Sequence, residues 1–322
     1  MAVAMGQRGA VGLGREQSWG SPVSPTCYLE VFLSEVRSRV EVTPVETARG
    51  NRSHRGAVLG PVLVRGPMQG PVSAEGIGTL LHAAFGAVQT TLLAAGGGGN
   101  PPVYQHVFTR QTGSDLPSYT IEQNLGGLAS LQACGCRVDE LTLGIPRSGL
   151  VTFQAEWVGA DEGSMTPTSP TFPSDEFLHY RGFDALLEGV SAGDIEEAEV
   201  TFANNLVTGL VGAGGNARVT RLPAASFTVT GRMVVSADQP NFELAYSAGE
   251  TFELTLAVTG DLLQGVHRRK LAIALPRVQL TEAAVPLAPG RLAHEVEFLA
   301  LLDPTQGMEA SVTLISSVAA YG

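Results

Sequence analysis

The stretch Leu150-Val-Thr-Phe-Gln-Ala-Glu-Trp-Val158 decides the fold class of this 322-residue chain. Apolar and polar residues alternate along it, which is typical of a strand with one buried and one exposed face. A similar stretch, Arg137-Val-Asp-Glu-Leu-Thr-Leu143, lies before it and is separated from it by Pro146 and Gly149. The alternation occurs again in Ile195–Phe202. The sequence therefore predicts a mainly β protein.

Helical signals are few. Ser73–Phe85 is the strongest, because it combines a capping serine, apolar residues at helical spacing and a closing Gly86. Gln239–Gly249 predicts a second short helix, and Phe183–Leu187 is interpreted as a short helical or turn segment. We therefore expect a β-sandwich or rolled sheet flanked by a short helix.

The composition narrows the functional classes. Hydrophobic residues make up 44% of the chain and charged residues only 16%, so intrinsic disorder is excluded. The net charge of −11 argues against binding to nucleic acid phosphates. No apolar run is long enough to predict a membrane span. A charge-poor surface of this kind favours burial against copies of the same chain.

Motifs for catalysis, metals and cofactors are missing from the sequence. The six histidines have no metal-ligand spacing, and neither a nucleophile elbow nor a phosphate-binding loop occurs. The pair Cys134 and Cys136 is interpreted as small buried hydrophobes rather than a redox or metal pair. We predict no enzyme activity, no metal and no cofactor.

The two halves of the chain follow a similar order. Glu41-Val-Thr43 and Glu199-Val-Thr201 are each followed by a long loop, a strand and a helix. A tandem duplication accounts for this order, and the general likeness of β proteins is the alternative. The predicted division is an N-terminal arm at 1–26, a first β domain at 27–173 and a second at 174–322.

Two long loops are candidates for contacts with neighbouring molecules, since loops beyond about 12–15 residues are uncommon unless they are functional. An ordinary surface loop is the alternative for each. The first loop is charged and carries Glu46, Arg49, Arg52 and Arg55. The second is nearly neutral and carries Asn204, Asn205, Asn216 and Arg218.

The order of features along residues 10–318 resembles the tail tube protein of long-tailed bacteriophages. The segments that carry the resemblance are Leu13–Thr26, Ile77–Gly86, His106–Thr109, Leu116–Glu122, Gly135–Leu143, Leu275–Val278 and Glu295–Ala300. Each motif is loose, and the match depends on their order and spacing.

The resemblance implies a structural virion protein whose inner strands join neighbouring copies into a barrel around a lumen. Stacked rings would form the hollow tail tube, made in the host cytoplasm, through which DNA passes without specific binding. Tape-measure and tail-terminator or tip proteins are the expected partners, besides the chain itself. Two tube domains per chain predict a homotrimeric, pseudo-sixfold ring, and one domain predicts a homohexamer.

The charged first loop, with Glu46, Arg49, Arg52 and Arg55, is then expected to contact the next ring. Lumen candidates are the acidic residues of alternating strands, although a one-residue change of register would exchange the two faces. These candidates are Asp139, Glu197, Glu199, Glu295 and Glu297.

Two other classes compete with a tube protein. A soluble β-sandwich binding or adhesion module would need an exposed aromatic platform, yet the chain contains only two tryptophans, Trp19 and Trp157. A hydrolase with a pair of carboxylates is the second competitor, and adjacent strand residues such as Glu196 and Glu197 point to opposite faces.

Overall fold

The protein is described by a computed structural model that covers residues 6–48, 53–126, 129–192, 195–212, 218–236, 242–285 and 292–321. These residues form nineteen strands and two α-helices. The strands of the first half are β1 Ala10–Arg15, β2 Cys27–Leu29, β3 Leu33–Ser34, β4 Arg37–Val45, β5 Gly56–Pro71, β6 Gly86–Ala94, β7 Val103–Arg110, β8 Tyr119–Asn124, β9 Ser130–Ile145, β10 Thr152–Gly159 and β11 Asp161–Ser164. Those of the second half are β12 Phe183–Leu187, β13 Val190–Ser191, β14 Ile195–Ala203, β15 Thr228–Ser236, β16 Thr251–Gln264, β17 His267–Ala284, β18 Ala293–Ala300 and β19 Ser311–Ser316. The helices are α1 Ile77–Phe85 and α2 Phe242–Ala248. The mainly β prediction is confirmed.

One antiparallel layer runs through both halves of the chain. Its strands lie in the order β4–β5–β10–β9–β14–β15–β18–β17. Along β14, Ala198, Val200 and Phe202 are buried while the residues between them are partly exposed. The alternation seen in the sequence therefore gives this layer one apolar face and one polar face.

The long strands β9 and β17 leave this layer and enter a second one. The first part of β9 pairs with β8 and β11, and the first part of β17 pairs with β16 and β19. The apolar faces of the layers meet around Trp157, Tyr119 and Phe298, which are almost fully buried. The result is the predicted sandwich of rolled sheets.

Helix α1 packs against β9 inside this core. Ser73 Oγ accepts the N–H of Gly76 at 3.1 Å, one residue before the helix, and Gly86 ends the helix with a φ of 80°. A Cβ at Gly78 would lie 2.3 Å from the ring of Tyr321, so glycine lets the C-terminal tyrosine pack on the helix. The predicted helix is confirmed, with its first turn beginning at Ile77 rather than Ser73.

The same strand pairings recur in the two halves. In the first half the pairs are β1–β2, β1–β8, β4–β5, β5–β10, β10–β9, β8–β9 and β9–β11. In the second half the pairs are, in the same sequence, β12–β13, β12–β16, β14–β15, β15–β18, β18–β17, β16–β17 and β17–β19. Each half also has its helix between the second strand of its hairpin and the strand equivalent to β8.

Three local expectations differ from the structure. Phe183–Leu187 is a strand paired with β16, so its interpretation as a helix or turn is wrong. Within the predicted arm 1–26, Ala10–Arg15 is a buried strand paired with β8, so this part belongs to the sandwich. The first long loop is narrower than expected, because β4 continues to Val45 and pairs there with Gly56.

Candidate functional site: an acidic sheet face with two open edges

Four of the five predicted lumen residues lie together on the polar face of the long layer. Glu199 on β14 lies opposite Arg232 on β15, and Arg232 lies opposite Glu297 on β18. Two residues along the same strands, Glu197 and Glu295 flank Val234 in the same way. Directly opposed residues of an antiparallel pair share a face, so these four carboxylates form one patch.

Three further glutamates extend this acidic face in both directions. Glu140 on β9 lies opposite Ala203 on one side and Glu156 of β10 on the other, and Glu282 on β17 lies opposite Glu297. These three residues are not among the predicted lumen candidates, although the alternation of polar and apolar residues in β9, β10 and β17 could have indicated them. The acidic face thus holds seven carboxylates.

Arg232 stands in the middle of the acidic face. Its Nη2 atom lies 3.1 Å from Oε1 of Glu197 and 3.8 Å from Oε2 of Glu199. The side chain of Arg232 is 54% exposed, so each ion pair contributes at most about 1 kcal/mol. Around Arg232 the seven carboxylates make the face negative, whereas Arg37, Arg39 and Arg65 lie toward its β4 edge.

Crowding of charge is visible at Glu140. Partial burial raises the pKa of this carboxyl group, and the charges of Asp139, Glu156 and Glu199 raise it further. Like charges that raise the pKa of a neighbour are close enough to interact. The first-half and second-half portions of the acidic face are therefore electrostatically continuous.

Asp139, the fifth predicted lumen residue, has a different environment. It is the extra residue of a β-bulge, because Glu156 lies opposite Glu140 and Trp157 lies opposite Val138. Its Oδ1 accepts the N–H of Leu206 at 2.8 Å, and its Oδ2 lies 3.7 Å from Arg65. Asp139 thus helps to hold the second long loop.

The first long loop lies at the end of an exposed hairpin of β4 and β5. We call the described residues of this hairpin, 40–48 and 53–62, the arm. Glu46 and Arg55 lie near its end, and Arg49 and Arg52 lie outside the described residues. Val42, Val58 and Leu59 of the arm are 55%, 59% and 71% exposed. Exposed apolar residues concentrated on a projecting hairpin indicate a contact surface.

The described part of the second long loop, residues 204–212 and 218–227, folds back onto the body. Leu206, Val219 and Leu222 are buried in a small apolar cluster with Val158. Val219 lies next to Arg218, which forms an ion pair with Asp161 and a bridge with Val62 of the arm. The second long loop therefore contacts strand β5 at the base of the arm.

The asparagines of the second loop have structural contacts. Asn204 is 3% exposed, and its Nδ2 donates to the carbonyl oxygens of Ala84 and Val138, both at 3.0 Å. Asn205 has a φ of 49° and donates to the carbonyl oxygen of Ser226 at 2.8 Å. Asn216 lies outside the described residues.

The long layer has two open edges. Within the described part of the chain, the strand pairs of β4 all go to β5, and β17 beyond Gln279 pairs only with β18. An open edge presents unpaired N–H and C=O groups that can pair with another strand. The acidic face therefore ends, on both sides, in backbone able to continue the sheet.

Other kinds of site are missing from the part of the chain that the structure describes. It contains no group of three or more histidine, cysteine, aspartate or glutamate side chains able to hold a metal ion. None of its helices has the length and hydropathy of a membrane span.

Comparison with known families identifies the chain. The family model for phage tail tube proteins matches residues 6–298, and the chain belongs to that family. It is therefore a structural protein of the phage tail that self-assembles into a tube, and an adhesion module is not favoured. No curated protein matches the chain.

Proposed function

We propose that three copies of this chain form one ring of the tail tube and that the acidic face lines its bore. The observation that supports this most directly is the long layer itself: eight strands, one polar face carrying seven carboxylates, and an open edge on each side. A layer of this kind is completed by neighbouring copies, which removes its exposed edges.

The dimensions are consistent with a conduit for DNA. Eight strands from each of three copies make 24 strands in the barrel. At a spacing of about 4.8 Å and a tilt of about 40°, such a barrel is roughly 45–50 Å across at the backbone. Inward side chains reduce this width, and a DNA duplex still fits.

The charge of the bore suits passage rather than binding. Carboxylates repel phosphates, and DNA binding instead requires neutralising Lys and Arg side chains. The acidic face offers seven carboxylates around the guanidinium of Arg232, and Arg37, Arg39 and Arg65 lie toward its β4 edge. DNA can therefore move through the bore without adhering during ejection.

The number of copies follows from two tube domains per chain. The recurrence of seven strand pairings supports a division near 27–173 and 174–322, with the boundary between β11 and β12. Ala10–Arg15 pairs like β12 and is assigned to the first domain. Six domains in a three-copy ring give it pseudo-sixfold symmetry, whereas one domain per chain would require six copies.

The arm is proposed to connect successive rings. Its exposed Val42, Val58 and Leu59, together with Glu46 and Arg55, support this role, and Arg49 and Arg52 lie between Glu46 and Arg55 in the sequence. The remaining partners are the tape-measure protein inside the tube and the terminator or tip proteins at its ends. Assembly is expected in the host cytoplasm, and no catalytic step is part of the proposal.

Electron microscopy and mass photometry of the purified protein test the ring. We expect hollow rings and tubes with threefold symmetry. A protein that stays monomeric at every concentration contradicts the proposal, and sixfold rings of six chains contradict the copy number.

A charge reversal tests the proposed role of the arm in stacking. The Arg49→Glu and Arg52→Glu double variant should form rings but shorter tubes. Unchanged tube length and assembly rate contradict that role of the arm.

DNA retention tests the lining of the bore. A variant with Glu197, Glu199, Glu295 and Glu297 changed to Gln should still form tubes, but these should retain duplex DNA in co-sedimentation. The matched control changes Glu30, Glu243, Glu250 and Glu253, which are exposed and lie off the acidic face, to Gln. Equal retention by both variants would place the bore elsewhere.

A further inference from the structure

We propose that the open edge of β17 pairs with β3–β4 of the next copy in the register that β9 and β14 use within one chain. The pairing of β9 with β14 inside the chain, which we call the internal seam, thus serves as the model for the pairing of β17 with β3–β4 between copies, the external seam. This inference deepens the proposed function and depends on its ring. It goes further by naming the residues that meet.

Strand β17 carries the same irregularities as β9. The bulge that skips Asp139 in β9 has a counterpart in β17, where Leu280 lies opposite Phe298 and Glu282 lies opposite Glu297, skipping Thr281. Two irregularities at the same place in two strands fix their alignment residue by residue. Glu140 of β9 therefore corresponds to Glu282 of β17.

A second irregularity gives the same alignment. Between β8 and β9 the register shifts after Tyr119–Cys136 and resumes at Ile121–Ala133. Between β16 and β17 it shifts after Phe252–Val278 and resumes at Leu254–Leu275. The number of residues skipped is the same on both sides.

On the other edge, β14 corresponds to β3 and the start of β4. Ala198 of β14 lies opposite Met233, and Ser34 of β3 lies opposite Met68. These two methionines also occupy equivalent positions against β18 and β10, where their partners are Val296 and Ala155. Counting along the chain, Phe202 corresponds to Ser38.

The internal seam then predicts the external one. Inside the chain, the consecutive pairs are Val200–Leu143, Thr201–Thr142, Phe202–Leu141 and Ala203–Glu140. Between copies, with the β4 residue given first, the corresponding pairs are Arg37–Ala284, Ser38–Ala283 and Arg39–Glu282; Val36 is fully buried and its carbonyl oxygen accepts from Gln123, so the exposed edge begins at Arg37. The alignment brings Arg39 opposite Glu282 on the acidic face, at the position that Ala203 and Glu140 hold inside the chain.

The charges at the two edges are complementary. Arg37 and Arg39 are exposed and form no ion pair within the described residues. In the proposed register Arg39 lies opposite Glu282, and Arg37 lies opposite Ala284, whose partner across β18 is Glu295. Opposite charges directly across a strand pair stabilise it, and opposite charges at its two edges also select the head-to-tail orientation.

The backbone at the β4 edge has an N–H group that does not pair with β5. The N–H of Ser38 points away from β5 and donates to the carboxylate of Glu162. In the proposed seam this N–H donates instead to the carbonyl oxygen of Ala283 in the next copy. Glu162 therefore occupies the edge in the free subunit and is displaced when the ring forms.

Charge reversal tests the pairing of Arg39 with Glu282. Arg39→Glu alone and Glu282→Arg alone should each raise the concentration needed for ring formation at least about tenfold. The double variant should restore it to within about threefold of the unchanged protein. Arg181→Glu, at an exposed site away from both edges, is the matched control. Reversal without effect, or a double variant without rescue, overturns the proposal.

Cysteine pairs test the register itself. Opposed residues of an antiparallel pair lie within disulfide range, so Arg37→Cys with Ala284→Cys should link neighbouring copies on oxidation. Arg37→Cys with Ala283→Cys is the control, since Ala283 points to the other face. The parent protein sets the background of Cys27, Cys134 and Cys136.

The outcomes separate the seam from the ring. Linked species ending at three copies support both, and a ladder ending at six supports the seam but rejects the three-copy ring. Rings that form without the first link, or with a stronger link in the control, overturn the seam while the proposed function stands. If the unchanged protein never forms rings, the proposed function fails, and the seam fails with it.

Discussion

The hairpins β4–β5 and β14–β15 begin alike and end differently. Both pair along the long layer, but β4–β5 continues outward to Val45 and Gly56, whereas β14–β15 stops at Ala203 and Thr228. Beyond that point the first chain segment projects as the arm, and the second folds back as the loop 204–227. The comparison shows how one framework can supply a contact for another molecule in one half and an anchored cover in the other.

Removing an apolar anchor should have the largest effect and sharpen the contrast. Leu222 is 1% exposed, so Leu222→Ala should lower the free energy of unfolding by about 2–4 kcal/mol. Leu59 in the arm is 71% exposed, and Leu59→Ala should change it by less than about 0.5 kcal/mol. Urea unfolding of unassembled protein measures both, and equal losses would break the comparison.

His82 of the body should make the stability of the fold depend on pH. His82 is buried, with its Nδ1 2.7 Å from the hydroxyl of Tyr119, and burial together with the charge of Arg15 lowers the pKa of His82 to about 4. The unfolded chain binds this proton near pH 6.5, so between pH 6.5 and 4 the unfolded state holds more protons. The free energy of unfolding should therefore decrease as the pH is lowered from 6.5 to 4, by up to about 1.4 kcal/mol per pH unit, and the stabilisation is fully present above pH 6.5.

The His82→Gln variant should reduce that slope relative to the unchanged protein. Unfolding curves collected from pH 7 to 5 give both slopes. A slope that survives in His82→Gln would show that another group titrates.

The buried asparagine should matter more than its neighbour. Asn204→Ala leaves the carbonyl oxygens of Ala84 and Val138 without this donor and should lower the free energy of unfolding by about 1–3 kcal/mol. Asn205→Gly keeps the positive φ accessible and should cost only a few tenths of a kcal/mol. Thermal unfolding compares the two, and a larger loss for Asn205→Gly would contradict the anchoring role of Asn204.

The smallest effect is expected for the ion pair of the folded-back loop. Arg218 is 50% exposed and Asp161 39% exposed, so Arg218→Gln should lower the free energy of unfolding by less than about 1 kcal/mol. The same measurement in high salt should reduce the difference further. A loss that exceeds that of Leu222→Ala would mean that charge rather than apolar burial holds the loop.

Local patterns predicted the strands, α1 and the acidic rows, because alternation and capping act over a few residues. The sequence does not show that Glu197 and Glu199 form one patch with Glu295 and Glu297. That patch depends on the pairing of β14 and β18 with β15, which brings together residues far apart in the chain. Phe183–Leu187 was misjudged since five residues cannot distinguish a strand from a turn, and only pairing with β16 decides it.

The internal similarity was visible in the sequence but in a different phase. The residues Glu41-Val42 are identical to Glu199-Val200 and suggest that these positions correspond. The strand pairings instead align Glu35-Val36 with Glu199-Val200. The arm explains the discrepancy, because its outward extension adds strand residues that have no counterpart in β14. Because one half contains extra strand residues, an alignment of the two halves by residue type alone is displaced, and the register of the strand pairs corrects that alignment.

The covalent connection between β9 and β14 has a kinetic consequence. In a ring of three copies, three of the six lateral contacts are already formed when each chain folds, so only three depend on collisions between molecules. An intramolecular contact has an effective concentration far above that of free subunits. In the proposed ring, joining two units in one polypeptide would thus halve the number of lateral contacts that form between molecules and favour rapid growth at low abundance.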